Sequence, residues 1–146
     1  MSHSYVTNLV HAFFATKERR PIIPDERQEK LWAYFTGIGR NLGFPVLAAA
    51  GTGDHAHLLF ALDQKIALST AIQKFKANSS RWMSQHGDDF SWQEGFGAVS
   101  VSPSQAPRVK LYVRDQREHP KKRDSRGEFL ELLRRAGIAI NDSDVI

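Results

Sequence analysis

The chain has 146 residues, 25% of them charged and 41% apolar, the balance of one globular domain rather than a disordered or fibrous segment. It contains no cysteine, which excludes disulfides and thiolate metal sites, and no apolar run approaches the roughly 18 residues of a membrane span. A formal charge of +4 and a sequence pI ≈ 9.6 point towards polyanionic partners, nucleic acid first among them.

In chain order, residues 5–16 (YVTNLVHAFFAT) are rich in β-branched and aromatic side chains and predict a strand. Pro21 and Pro24 then break the chain. Asp25 is the expected N-cap of a helix over 26–43, with Leu31, Phe35, Ile38 and Leu42 at helical spacing and Gly43 as its stop. Residues 44–53 and 55–62 predict an antiparallel strand pair bent around Gly51 and Gly53. A second helix is expected over 65–87 and a fourth strand over 96–102. A third helix follows over 103–119, capped by Ser102 or Ser104 and with Pro107 in its first turn. A last helix covers 127–137. The order βαββαβ with extra C-terminal helices predicts an α+β, ferredoxin-like (RRM-like) antiparallel sheet with helices on one face and an open face for ligands. All of 1–146 forms one domain in this reading. The first residues show neither a basic stretch nor a small-residue cleavage site, so a soluble cytoplasmic protein is expected.

Two stretches carry chemistry. In GDHAHLLF, His55 and His57 alternate on a strand and point to the same face about 7 Å apart. Two imidazoles so placed can lean onto one ion, but a pair alone is more often ligand-free. A histidine-triad hydrolase would need a third alternating histidine, and Leu59 stands there instead. In RVKLYVRDQREH, Tyr112 and Gln116 lie at i and i+4 on one helical face, with His119 following. A tyrosine can attack phosphorus, and a glutamine amide oxygen can ligate a divalent ion. A surface tyrosine among solvated polar groups is the commoner fate of such a string. The two signals gain weight only if that helix docks beside the histidine strand.

Together with HAFFATKERRPII, FKANSSRW, FSWQEGFGAVSVSPSQ and FLELLRRAGI, these motifs resemble the IS200/IS605-like HUH transposases that use one tyrosine, the Y1 class. The similarity runs over most of the chain and rests on the order and spacing of the pieces. It implies His55 and His57 as metal ligands, Gln116 as the third, Tyr112 as nucleophile and Mg²⁺ or Mn²⁺ as cofactor. It also implies single-stranded DNA hairpins as substrate, a 5′-phosphotyrosine intermediate, and a homodimer whose sites are completed in trans. For DNA contact the candidates are Lys17, Arg19 and Arg20 after the first strand and Lys74, Lys76, Asn78 and Arg81 on the second helix; Lys121, Lys122 and Arg123 extend the charge. Asp54 is either a carboxylate that orients a histidine or a turn residue. Trp92 and Phe96 either stack a base or join the core. Two other readings are a domesticated REP-associated nuclease and a non-catalytic single-strand-binding module.

Overall fold

The computed structural model describes residues 3–118, 124–141, 143 and 146. Four antiparallel strands, β1 (Leu9–Ala15), β2 (Val46–Gly51), β3 (His55–Ala61) and β4 (Gly97–Val101), lie in the order β2-β3-β1-β4. Helix α1 (Asp25–Leu42) links β1 to β2, and α2 (Leu68–Gln85) links β3 to β4. Helices α3 (Ala106–Arg114) and α4 (Ser125–Arg135) follow the sheet. This is the ferredoxin-like order anticipated from the sequence.

Strand alternation divides the two faces of the sheet. Val10, Ala12 and Phe14 of β1, with Ala56, Leu58 and Phe60 of β3, turn towards α1 and α2 and are buried with Leu31, Phe35, Ile72 and Phe75 in the main core. Phe75 is thus a core residue. Trp92 packs there too, edge-on to Phe14 and with its indole N–H donated to Ser79. The opposite face carries His11, Phe13, His55 and His57, and it is not left open. Helix α3 packs on β2 and β3, where Ala48 and Ala50 leave room for it. Helix α4 closes the β4 side through a second cluster of Phe13, Ala15, Phe129 and Leu133.

Element ends differ from expectation in instructive ways. The first strand begins only at Leu9; Tyr5 and Val6 are exposed, with no strand beside them. Helix α1 is entered through Pro24, and Asp25 sits inside the first turn, where its charge favours the helix N-terminus. Helix α3 is shorter than its apolar spacing suggests. It starts after a turn at Ser102 and yields at Asp115 to a 3-10 turn, Gln116–Glu118. Helix α4 starts two residues early because the Asp124 side chain accepts from Gly127 N.

One close approach locks the second face. Gly97 pairs with Phe13, and a Cβ at Gly97 would lie 2.2 Å from the Phe13 ring. That ring packs on Phe129 at 4.8 Å and on His57 at 5.8 Å, so it cannot retreat without moving the histidine. Gly97→Ala is therefore expected to cost about 1–3 kcal/mol of stability. Chemical denaturation checks this, and an unchanged midpoint would show that the Phe13 ring has room to shift.

Candidate active site

Pairing register brings the site together. Phe13 lies opposite His57 and Ala15 opposite His55, so one sheet face presents both histidines with His11 on the diagonal. His55 is 4% and His57 0% exposed, so these are not surface histidines. Helix α3 places Tyr112 edge-on to His57 at 5.7 Å between ring centroids. The 3-10 turn after α3 buries Gln116 and directs its Oε1 to within 3.0 Å of His55 Nε2. Helix α4 brings Glu128, whose Oε1 lies 2.8 Å from His57 Nε2 and 3.7 Å from His55 Nε2. Tyr112 and Glu128 are also joined by a side-chain hydrogen bond. His55, Tyr112, Gln116 and Glu128 line a cleft of about 690 Å³ together with Asp54, Ser125 and Arg117.

The proton inventory of these atoms identifies what the cleft can hold. His55 Nδ1 is 2.7 Å from Asp54 Oδ1, an acceptor when ionised, so the ring proton belongs on Nδ1. A neutral His55 then turns the Nε2 lone pair towards Gln116 Oε1 and Glu128 Oε1. Three electron-pair donors face one another, and a proton or a cation must lie between them. His57 Nε2 completes the set: the donor atoms of His55, His57 and Glu128 all lie within 4.8 Å of one another. Two imidazole nitrogens with amide and carboxylate oxygens suit Mn²⁺ well and Mg²⁺ acceptably. The residues fit the ion that the resemblance implies. They add Glu128, which the sequence reading did not include.

Charge in the site follows from contact and burial. Burial pushes the Glu128 carboxyl up, but hydrogen bonds from His57 and Tyr112 and the neighbouring imidazoles outweigh it and hold it at about 2. Burial pushes the Asp54 carboxyl up as well, but the contacts with His55 and Thr52 and the nearby Arg19 together hold it below its usual range. Burial, reinforced by His57, lowers His11 to about 3, so it is a neutral imidazole. Its Nε2 is 2.8 Å from His57 Nδ1. His11 was not singled out in the sequence; its one signal is a polar side chain set on the inward period of a buried strand.

Of the basic candidates, Arg19 is turned inward. Its guanidinium donates to Ser125 Oγ and, at 2.7 Å, to Ile146 O, and it stacks 4.7 Å over the Phe129 ring. Glu18 and Arg19 hold φ of 56° and 54°, a left-handed turn that costs about 1–2 kcal/mol per residue and aims the guanidinium at α4. Ser125 Oγ in turn lies 3.4 Å from Asp54 Oδ2. Arg19 therefore anchors the start of α4. Lys76 donates to the carbonyls of Gln93 and Gly95, and burial lowers it to about 8. Lys17, Arg20, Lys74 and Arg81 are exposed, and Asn78 is half-buried with its amide on Lys74 O. Arg108, Lys110 and Arg114 add exposed positive charge along the tyrosine helix. His119, Lys121, Lys122 and Arg123 lie outside the described residues.

Residues 4–116 match the family profile described as "Transposase IS200 like". The chain belongs to the IS200-like transposase family and is, by that membership, a DNA-cleaving enzyme. Among solved structures, its fold is similar to a protein from Deinococcus radiodurans R1 described as a transposase, with a TM-score of 0.62 and 22% identity. That similarity covers 80% of this chain and 96% of the other. It is also similar to a REP-associated tyrosine transposase bound to a REP hairpin, with a TM-score of 0.56 and 15% identity over 77% of this chain and 68% of the other. Among curated proteins, none matches. No helix among the described residues is long and apolar enough to cross a membrane.

If the converging donors hold a divalent ion, Mn²⁺ raises the unfolding temperature. An ion at about 100 times its Kd adds about 2.7 kcal/mol to stability. Glu128→Ala is expected to lose most of that gain and His57→Ala all of it. A wild-type melting curve indifferent to Mn²⁺ would contradict the assignment.

Proposed function

We propose that this chain cuts and rejoins single-stranded, hairpin-bearing DNA through a 5′-phosphotyrosine on Tyr112. One observation carries the proposal: the hydroxyl-bearing helix is docked so that Tyr112 shares a cleft with His55, Gln116 and Glu128 and meets the buried His57 ring edge-on. A docked, half-buried tyrosine beside clustered donors is hard to reconcile with a solvated surface role.

In this reading His55, His57, Gln116 and Glu128 hold the divalent ion. When bound, it polarises the scissile phosphate and offsets charge developing there. Tyr112 supplies the nucleophile. Its oxygen forms a bond to phosphorus while the bond to the 3′-oxygen breaks, leaving a 5′-phosphotyrosine and a free 3′-hydroxyl. The departing 3′-oxygen gains a proton, and the tyrosine loses one. An ordinary phenol ionises only near pH 10, so Tyr112 needs help at neutral pH. Its hydrogen bond to Glu128 fixes where the hydroxyl sits before attack. Asp54, Thr52 and Ser125 hold His55 from behind. A different 3′-hydroxyl reverses the step, and the bond energy kept in the phosphotyrosine makes ATP unnecessary.

The exposed lysines and arginines of α2 and α3 offer the phosphate contacts, and salt-sensitive binding follows from them. A hairpin bound to a structurally similar transposase favours hairpin ends as substrate here as well. The trans-completed homodimer enters this proposal in altered form. The tyrosine and both histidines meet within one chain, so a second copy has no tyrosine that it must lend.

Incubation with labelled hairpin oligonucleotides and Mn²⁺ or Mg²⁺ is expected to give a denaturation-resistant protein–DNA adduct. Tyr112→Phe removes the adduct while hairpin binding stays within about twofold. A surviving adduct would disqualify Tyr112, and equal cleavage of duplex DNA in EDTA would sink the mechanism.

A further inference from the structure

His57 is held on both sides by groups of different kinds. Its Nε2 faces Glu128, a carboxylate that only accepts, at 2.8 Å. Its Nδ1 faces His11 Nε2, also at 2.8 Å, with the two rings stacked at 5.1 Å and 29°. Ligand histidines ordinarily give their second nitrogen to a carboxylate, carbonyl or water. His55 follows that pattern through Asp54. His57 does not: its rear partner is a second imidazole, 3% exposed and set on the neighbouring strand.

An imidazole can do what a carboxylate cannot, because it either donates or accepts. When neutral, His57 carries one ring proton. With Nε2 hydrogen-bonded to Glu128, that proton lies on Nε2, and Nδ1 must accept from His11 Nε2–H. With Nε2 bound to an ion, the proton lies on Nδ1 and must be accepted by the His11 Nε2 lone pair. A carboxylate behind Nδ1 would favour only the second arrangement. A buried apolar group would satisfy neither and leave a fully enclosed Nδ1 without a partner.

We infer that His11 is a positioning residue that holds the His57 ring in ligating orientation, since its Nε2 can either donate to His57 Nδ1 or accept from it. His11 touches neither DNA nor ion. It acts through His57, and its ring also meets the Tyr112 edge at 5.9 Å, so the same side chain limits how far nucleophile and ligand can drift apart. This inference rests on the proposed ion site.

The test measures Mn²⁺ affinity of the 146-residue chain by calorimetric titration, alongside its unfolding temperature without metal. His11→Phe keeps the ring and removes both hydrogen-bonding roles, and a 10- to 100-fold rise in Kd is expected. His11→Gln restores a side chain that donates or accepts and should recover most of the affinity. A purely structural role predicts lower unfolding temperatures for His11→Phe with an unchanged Kd, and that result would overturn the inference. So would a His11→Gln protein as weak in Mn²⁺ as His11→Phe. Ring-nitrogen NMR of the wild-type chain gives an independent readout: on Mg²⁺ saturation the His57 proton should lie on Nδ1, facing His11, and a proton that remains on Nε2 counts against the inference. Failure of the wild-type chain to bind Mn²⁺ would instead strike the ion site itself.

Discussion

Gln116 Oε1 and Glu128 Oε1 converge on His55 Nε2 at 3.0 and 3.7 Å, and His57 Nε2 lies 2.8 Å from the same carboxylate oxygen. Such a convergence requires a proton or a cation at its centre, and the protein holds the groups from behind. Asp54 and Thr52 orient His55, His11 backs His57, and Gln116 Nε2 reaches the carbonyl of Tyr112 at 3.5 Å. The second face of the sheet reads as a frame for this convergence. Aromatic packing of Phe13 and Phe129 supplies its walls, small residues at Ala48 and Ala50 let α3 approach, and Gly97 makes room for the Phe13 ring.

Anchoring α4 is the frame's most expensive part. Glu128 reaches the site only if α4 lies across β4, and the apolar contacts there are few. Arg19 compensates with a stacked guanidinium on Phe129 and donations to Ser125 and the Ile146 carbonyl. Two consecutive non-glycine residues at positive φ make that geometry possible. Burial weakens the hold on the Arg19 proton, whereas Asp54, Asp124 and Glu128 strengthen it, so the cation sits among carboxylates that belong to the site. Backbone strain near the first strand is thus tied to the placement of Glu128, more than a hundred residues later.

The fold was legible from local signals, because strand alternation and helical spacing are short-range properties. His55, His57, Tyr112 and Gln116 stood out because each pair repeats within four residues. Glu128 carried no such mark: a glutamate in GEFLELL reads as solvated helix surface until α4 docks. His11 was hidden for a related reason, since its partner is set by β1–β3 register rather than spacing along the chain. Arg19 was legible as charge but not as direction. Its neighbours suggested a basic surface turn, and only the left-handed pair reverses it. The shortened α3 shows the same limit, because the switch to a 3-10 turn that seats Gln116 depends on docking against β2.

One arrangement separates this account from a shared-site dimer: Tyr112 stands at the histidines of its own chain. Mixing a Tyr112→Phe protein with a His57→Ala protein, after exchange of any subunits, tests that directly. Each chain then lacks one half of the chemistry. A site built within one chain predicts no covalent DNA adduct from the mixture, whatever its oligomeric state. An adduct on the His57→Ala chain, which keeps its tyrosine, would mean that the partner's histidines served it and would contradict the account.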